Sequence, residues 1–171
     1  MSDYVASAVS IVTQLHAAGA EEILFVNIPS IGQAPAVQAL GPGAVAAATM
    51  IAAAMNASVD AGSSALAPDL LRGLHRLDLF GLMNQVVLYP AAFGFTDVVS
   101  ACAFVTACIA DPSTTFFWDG VHPTAAGHAL IARAAFSAVV PEPATFILFG
   151  VGLVGFGVVR FKASAAGASR T

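Results

Sequence analysis

Apolar and polar positions follow one another in blocks of helix and strand length. Val5, Val9 and Val12 recur at intervals of four and three, the spacing of one helix face, and Leu15 and His16 extend it. Ser2 or Asp3 can cap this helix and Gly19 can stop it. Glu21-Glu22 lead into Ile23-Leu24-Phe25-Val26-Asn27-Ile28, which reads as a strand buried on both faces, the kind found in parallel sheets covered by helices. Pro29, Gly32 and Pro35 make a loop at its carboxyl end, the edge where open α/β sheets bind ligands.

Residues 43–66 are helical in pattern, with Met50, Ile51 and Met55 as the larger core candidates. Pro68 and Gly73 break this helix, and residues 74–79 can form a second short strand. Residues 80–88 suggest another helix, ended by Pro90. A loop-rich stretch carrying Phe93, Gly94, Phe95, Cys102 and Cys108 follows. Residues 115–118 read as a strand end, 119–122 as a loop, and 123–138 as a final helix with Pro123 at its first position. This alternation of helices and strands predicts a three-layer α/β sheet.

The last apolar block differs from the others. From Ala144 to Val159 no residue is ionisable, and Arg160 and Lys162 close the run. Sixteen helical residues rise about 24 Å, slightly short of a ~30 Å hydrocarbon core, and snorkelling basic side chains can cover the difference. Gly150, Gly152, Gly155 and Gly157 are poor in a water-soluble helix but common in membrane spans. Glu142 precedes the run, whereas Arg160, Lys162 and Arg170 follow it, the order expected of a span with a cytoplasmic C-terminus. Residues 144–159 are therefore read as a transmembrane helix.

Composition agrees with this division. The 171 residues are 58% hydrophobic and only 9% charged, against roughly 25% charged in ordinary domains. Such a chain is not disordered. Six basic against ten acidic residues offer no cationic surface for phosphates, so nucleic acid is excluded as a partner. Three arginines against ten acids precede Arg160, a net of −7, and three bases lie from Arg160 onward. Alanine-rich runs such as Ala44 to Ala54 suggest closely packed helices. Two cysteines define no scaffold; Cys102 and Cys108 can pair in an oxidising compartment or remain buried thiols.

One loop carries recognisable chemistry. In Phe117-Trp118-Asp119-Gly120-Val121-His122-Pro123-Thr124, a carboxylate lies three residues before a histidine. It can hold one ring nitrogen, fix the tautomer and leave the other nitrogen free to activate a nucleophile. Taken alone, the same pair also fits a loop hydrogen bond or a helix N-cap. As a metal site it is poor, because no further ligand cluster is visible, and neither metal nor cofactor is expected.

Two family resemblances rest on these segments. Val140-Pro141-Glu142-Pro143-Ala144-Thr145, the glycine-rich apolar stretch and Arg160 together resemble the PEP-CTERM sorting signal of Gram-negative bacteria, although Phe161 splits the basic cluster. That resemblance implies export to the cell envelope and temporary single-pass anchoring. It also implies processing at Pro141, Glu142 and Pro143 by an exosortase-type enzyme, with Arg160 and Lys162 flanking the membrane. The Asp119–Thr124 block with Ala125-Ala126-Gly127-His128 resembles the C-terminal block of the SGNH/GDSL esterases and lipases. Val26-Asn27-Ile28-Pro29-Ser30-Ile31-Gly32, and Tyr89 to Thr96 with Cys102, are similar to the same family.

The second resemblance implies an α/β/α, flavodoxin-like parallel sheet and hydrolysis of carboxylic esters through a Ser-His-Asp triad. Asp119 and His122 would supply its acid and base. His16, His75 and His128 take no family role. Substrates of such an enzyme would be lipids, acetylated polysaccharides or small esters. The family's Gly-Asp-Ser nucleophile and its Gly and Asn oxyanion donors match nothing here, and Ser2, Ser30, Ser63, Ser64, Ser100 and Ser113 sit in no comparable elbow. Met1-Ser2-Asp3-Tyr4 does not open a signal peptide either.

The expectation is thus a partial SGNH/GDSL domain over 1–139, lacking its N-terminal strands. A PEP-CTERM anchor over 140–162 and a cytoplasmic stub over 163–171 follow it. Alone, such a chain is expected to be inactive; the alternative is a non-catalytic, membrane-anchored envelope fragment.

Overall fold

A computed structural model describes residues 2–64 and 66–140. The chain divides into two units, Met1–Val139 and Val140–Thr171. The expected sorting motif at Pro141, Glu142 and Pro143, the span over 144–159, the flanking Arg160 and Lys162 and the stub all lie outside the described residues.

Helix α1 (Ser2–Ala17) buries Val12. It ends as its sequence suggests: Gly19 takes φ +99°, its N–H bonds the His16 carbonyl at 2.9 Å, and the Ala20 N–H bonds that of Leu15 at 3.0 Å. Strand β1 (Ile23–Val26) follows, then a 3-10 turn (Ile31–Gln33), α2 (Pro35–Gln38), α3 (Pro42–Ser63), α4 (Pro68–Arg72) and β2 (Leu74–Leu77). The two strands are parallel, with Ile23 opposite Leu74 and Val26 opposite Leu77. They meet closely at Gly73, where a Cβ would lie 1.9 Å from the Glu21 carbonyl oxygen.

The second half contains α5 (Leu79–Leu88), β3 (Asp97–Ala101), α6 (Thr106–Ala110), β4 (Thr115–Phe117) and α7 (Ala125–Val139). Strands β3 and β4 are parallel, pairing Asp97 with Thr115 and Ala101 with Phe117 across an irregularity. Around them Met83, Val86, Phe95, Val98, Phe116 and Phe117 form the main buried cluster. Phe116 meets both Phe95 and Phe117 edge-to-face, at centroid distances of 5.3 and 4.9 Å.

The α/β class is as expected, but the sheet differs. Among the described residues there are two parallel two-stranded sheets, β1-β2 and β3-β4, and α7 packs against strands of both. In so narrow a sheet β1 has one unpaired edge. Its residues are accordingly half-buried, and Val26 is exposed, rather than covered on both faces.

Helix α3 also turns differently. Ala52, Asn56, Val59 and Ser63 face inward, whereas Met50 and Ile51 are exposed. Small side chains let α1 approach here, and a Cβ on Gly62 would lie 2.4 Å from Val5. Among the described residues α3 is the one helix long and apolar enough to cross a membrane. It buries Ala52, Asn56, Val59 and Ser63 and packs on α1 and on the turn after β1.

Strand β3 lies inside the stretch read as loop-rich. Asp97 opens it and folds its carboxylate back onto the N–H groups of Val99 and Ser100, at 2.9 and 2.8 Å. That local turn pattern conceals a strand whose pairing is non-local.

The start of α7 is a further correction. Pro123 is not the first helical residue; it forms an antiparallel bridge with Phe117. The N-cap is Thr124, whose buried hydroxyl accepts from the Gly127 N–H (3.1 Å) and donates to the Thr115 carbonyl (2.7 Å). Thr124→Val keeps the volume and removes both bonds. It is expected to cost about 2–3 kcal/mol through the lost cap and the stranded carbonyl, read as a lowered urea midpoint with unchanged slope.

Candidate active site

The loop between β4 and α7 is fixed by backbone bonds before any side chain acts. The Trp118 N–H donates to the His122 carbonyl (2.8 Å), closing the loop on itself, and the Ala36 N–H donates to the Gly120 carbonyl (2.9 Å). The second bond joins it to α2, in the segment after β1. Gly120 makes that junction close: a Cβ there would lie 3.0 Å from that of Ala36.

Within the loop Asp119 Oδ1 accepts from the N–H groups of Val121 and His122, both at 2.8 Å. Oδ2 lies 2.8 Å from His122 Nδ1. The structure therefore brings together the two residues singled out in the sequence. One carboxylate oxygen orders the loop and the other meets the ring. The His122 N–H, then that of Val121, then the His122 ring lower the Asp119 pKa from 3.8 to about 2. Asp119 is thus ionised at any ordinary pH and accepts from Nδ1–H. The His122 side chain is 71% exposed, with Nε2 pointing away from its orienting partner.

Being depressed in the fold, the Asp119 pKa adds stability above about pH 4 that is lost as pH falls toward 2. Solvent screens an exposed pair, so this gain is small.

The other histidines are engaged elsewhere. His16 Nε2 lies 3.4 Å from Asp69 and His75 pairs with Glu22, while His128 sits in the first turns of α7, its backbone N–H donating to the Thr124 carbonyl at 2.8 Å. Ser63 and Ser64 donate to the carbonyls of Asp60 and Ala61. Ser30 is fully buried, and its hydroxyl has no hydrogen-bond partner among the described residues. No group of three or more metal-ligating side chains occurs among the described residues. Cys102 and Cys108 form a disulfide, and the Ala103 N–H within its ring donates to the Trp118 carbonyl at 2.7 Å.

A second polar cluster marks the ends of β1 and β2. Asn27 Nδ2 donates to Asp78 (2.8 Å), Asn27 Oδ1 accepts from the Phe80 N–H (3.0 Å), and Asp78 caps α5 through the Gly81 N–H (2.9 Å). Asn56, from α3, bonds both the N–H and the carbonyl of Ile28, at 2.9 and 2.8 Å. Asn56 and Asp78 were not singled out in the sequence; an Asn among helix alanines and an Asp beginning a helix were the available signals. These residues line a cavity of about 480 Å³ with Phe25, Arg76 and Phe80. Asp119 and His122 are not among its lining residues.

Known proteins match this chain in two consecutive segments. The family model for GDSL-like lipase/acylhydrolase matches residues 1–135, and that for the PEP-CTERM protein-sorting motif matches residues 139–160. A GDSL esterase/lipase of Arabidopsis thaliana is 24% identical over 141 residues, covering 75% of this chain and 40% of that protein. The chain thus spans about two-fifths of the length of that curated relative. The first match covers well over half of the chain and includes the Asp119–His122 loop: the protein belongs to the GDSL-like lipase/acylhydrolase family, and a PEP-CTERM sorting motif follows that domain.

Proposed function

We propose that this chain supplies the base and the orienting acid of a carboxylic ester hydrolase. The observation that carries this reading is the 2.8 Å contact from Asp119 Oδ2 to His122 Nδ1, with Asp119 Oδ1 held by two backbone N–H groups. In the reaction His122 Nε2 takes the proton of a serine hydroxyl as that oxygen attacks the ester carbonyl. The protonated ring then gives the proton to the departing alcohol, and a water repeats the sequence to release the acid. Asp119 holds Nδ1–H and stabilises the imidazolium without itself taking the proton.

The nucleophile and the oxyanion donors come from polypeptide other than residues 1–171. No Gly-Asp-Ser occurs in the sequence, and the family relative is much longer. With that segment, the β1-β2 and β3-β4 pairs belong to one three-layer, flavodoxin-like parallel sheet whose N-terminal strands lie outside this chain. Without it the chain is inactive, and a non-catalytic envelope fragment is then its cellular form.

The sorting motif supports export to the envelope of a Gram-negative bacterium, with residues 144–159 as a temporary single-pass anchor. Arg160, Lys162 and the stub are then cytoplasmic, and an exosortase-type enzyme acts at Pro141-Glu142-Pro143. The substrate is an ester accessible there: a lipid, an acetylated polysaccharide or a small ester.

A fluorophosphonate, which modifies activated serines, tests the assignment. No serine of residues 1–171 should be labelled in the isolated chain. Labelling of Ser30 or any other serine here that disappears in His122→Ala would place the nucleophile inside the chain and overturn the division of roles.

A further inference from the structure

Beside the Asp119–His122 loop the surface is strongly apolar. Between Asp97 and Asp111 there is no charged residue, and this stretch contains the Cys102–Cys108 ring. Phe104 within the ring is 82% exposed, and Val105 and Ile109 are exposed with it. The Ala103 N–H bond to the Trp118 carbonyl joins this segment to the dyad loop, whose Trp118 and Val121 are also exposed. Five exposed apolar side chains thus belong to two segments, one closed on itself by the disulfide and joined to the other by a backbone hydrogen bond. A short covalent ring limits how far Phe104 can fold back toward the core.

We infer that Phe104, Val105, Ile109, Trp118 and Val121 form a bilayer-contact surface that sets the dyad loop against lipid. This rests on the dyad and anchor readings above. Three observations favour lipid as the occupant. First, residues 1–140 carry three arginines against nine acids, so adsorption to anionic lipid through charge is disfavoured and contact must come from an uncharged patch. Second, the patch pairs aliphatic and phenyl side chains with an indole, the combination that settles at the boundary of headgroups and acyl chains. Third, the sorting motif begins at residue 139, where α7 ends, so a membrane tether follows the domain directly.

Trp118 is the chain's single tryptophan and therefore reports on this surface without labelling. The full chain would be reconstituted through its own tail into phosphatidylcholine vesicles, with and without lipid carrying a nitroxide near the headgroup. Trp118 emission should shift to the blue and be quenched by the nitroxide lipid. Phe104→Asp should abolish the quenching while far-UV circular dichroism stays unchanged. Met50→Asp, at an exposed apolar position on α3, should leave the quenching intact.

Unquenched Trp118 in the wild type would overturn the inference. So would quenching that survives both Phe104→Asp and Ile109→Asp. A blue shift that follows protein density and ignores the quencher would assign the patch to a second copy of the chain instead. Because the readout is lipid contact and not turnover, failure of the ester-hydrolase reading would appear separately, in the serine-labelling experiment.

Discussion

In a polypeptide extended upstream to include a Gly-Asp-Ser segment, His122→Ala is expected to lower kcat for a p-nitrophenyl ester by about 10⁴- to 10⁶-fold while leaving KM within a few-fold. The size follows from the two proton transfers assigned to one atom. Without Nε2 the serine must attack as a neutral hydroxyl, and the leaving alcohol must depart without its proton. A residual rate over water should persist, because binding and oxyanion stabilisation do not involve His122. The fold should tolerate the change, since the ring is largely exposed and the loop is held by Trp118 N–H, Asp119 Oδ1 and Ala36 N–H. Equal melting temperatures of variant and parent would confirm that the loss is chemical.

Asp119→Asn is the second large effect, about 10³- to 10⁴-fold in kcat. An amide oxygen at Oδ1 can still accept from the Val121 and His122 N–H groups, so the loop keeps its shape. The amide NH₂ then faces Nδ1, which must become an acceptor, and the ring proton moves to Nε2. The base is blocked by its own tautomer. Ring ¹⁵N chemical shifts of the neutral imidazole should show Nδ1–H in the parent and Nε2–H in the variant, a change that loop damage alone would not give. A carboxylate near pKa 2 is ionised throughout the working range. Asp119 therefore contributes no acid limb to the pH–rate profile within that range. Finding the Nε2–H tautomer in the parent would remove His122 from the role of base.

What the sequence reveals here is mostly local. Asp119 and His122 lie three residues apart on one turn, so their contact follows from loop geometry without knowledge of the rest of the fold. Gly19 ends α1 for the same reason: a left-handed residue and two backbone bonds within five residues suffice. Non-local features are less legible. Asp97 resembles a turn former until Thr115 pairs with it, which hid β3. Met50 and Ile51 have the size of core residues, but the approach of α1 at Gly62 and the bonds from Asn56 to Ile28 set which stripe of α3 turns inward. Pro123 fits the usual first helical position. Yet the bridge to Phe117 occupies it, and the cap passes to Thr124. For β3 and α3 a partner distant in sequence overrides the local preference; at Pro123 the partner is the strand just before it.

In the function proposed above, residues 1–171 hold the base and its orienting acid but not the nucleophile. That division is tested most directly by p-nitrophenyl butyrate hydrolysis, measured side by side for the 171-residue chain, the upstream-extended polypeptide and the His122→Ala variant of each. Background rates are expected for the isolated chain with or without His122, and His122-dependent turnover for the extended polypeptide alone. Turnover by the isolated chain that vanishes on His122→Ala would contradict that division.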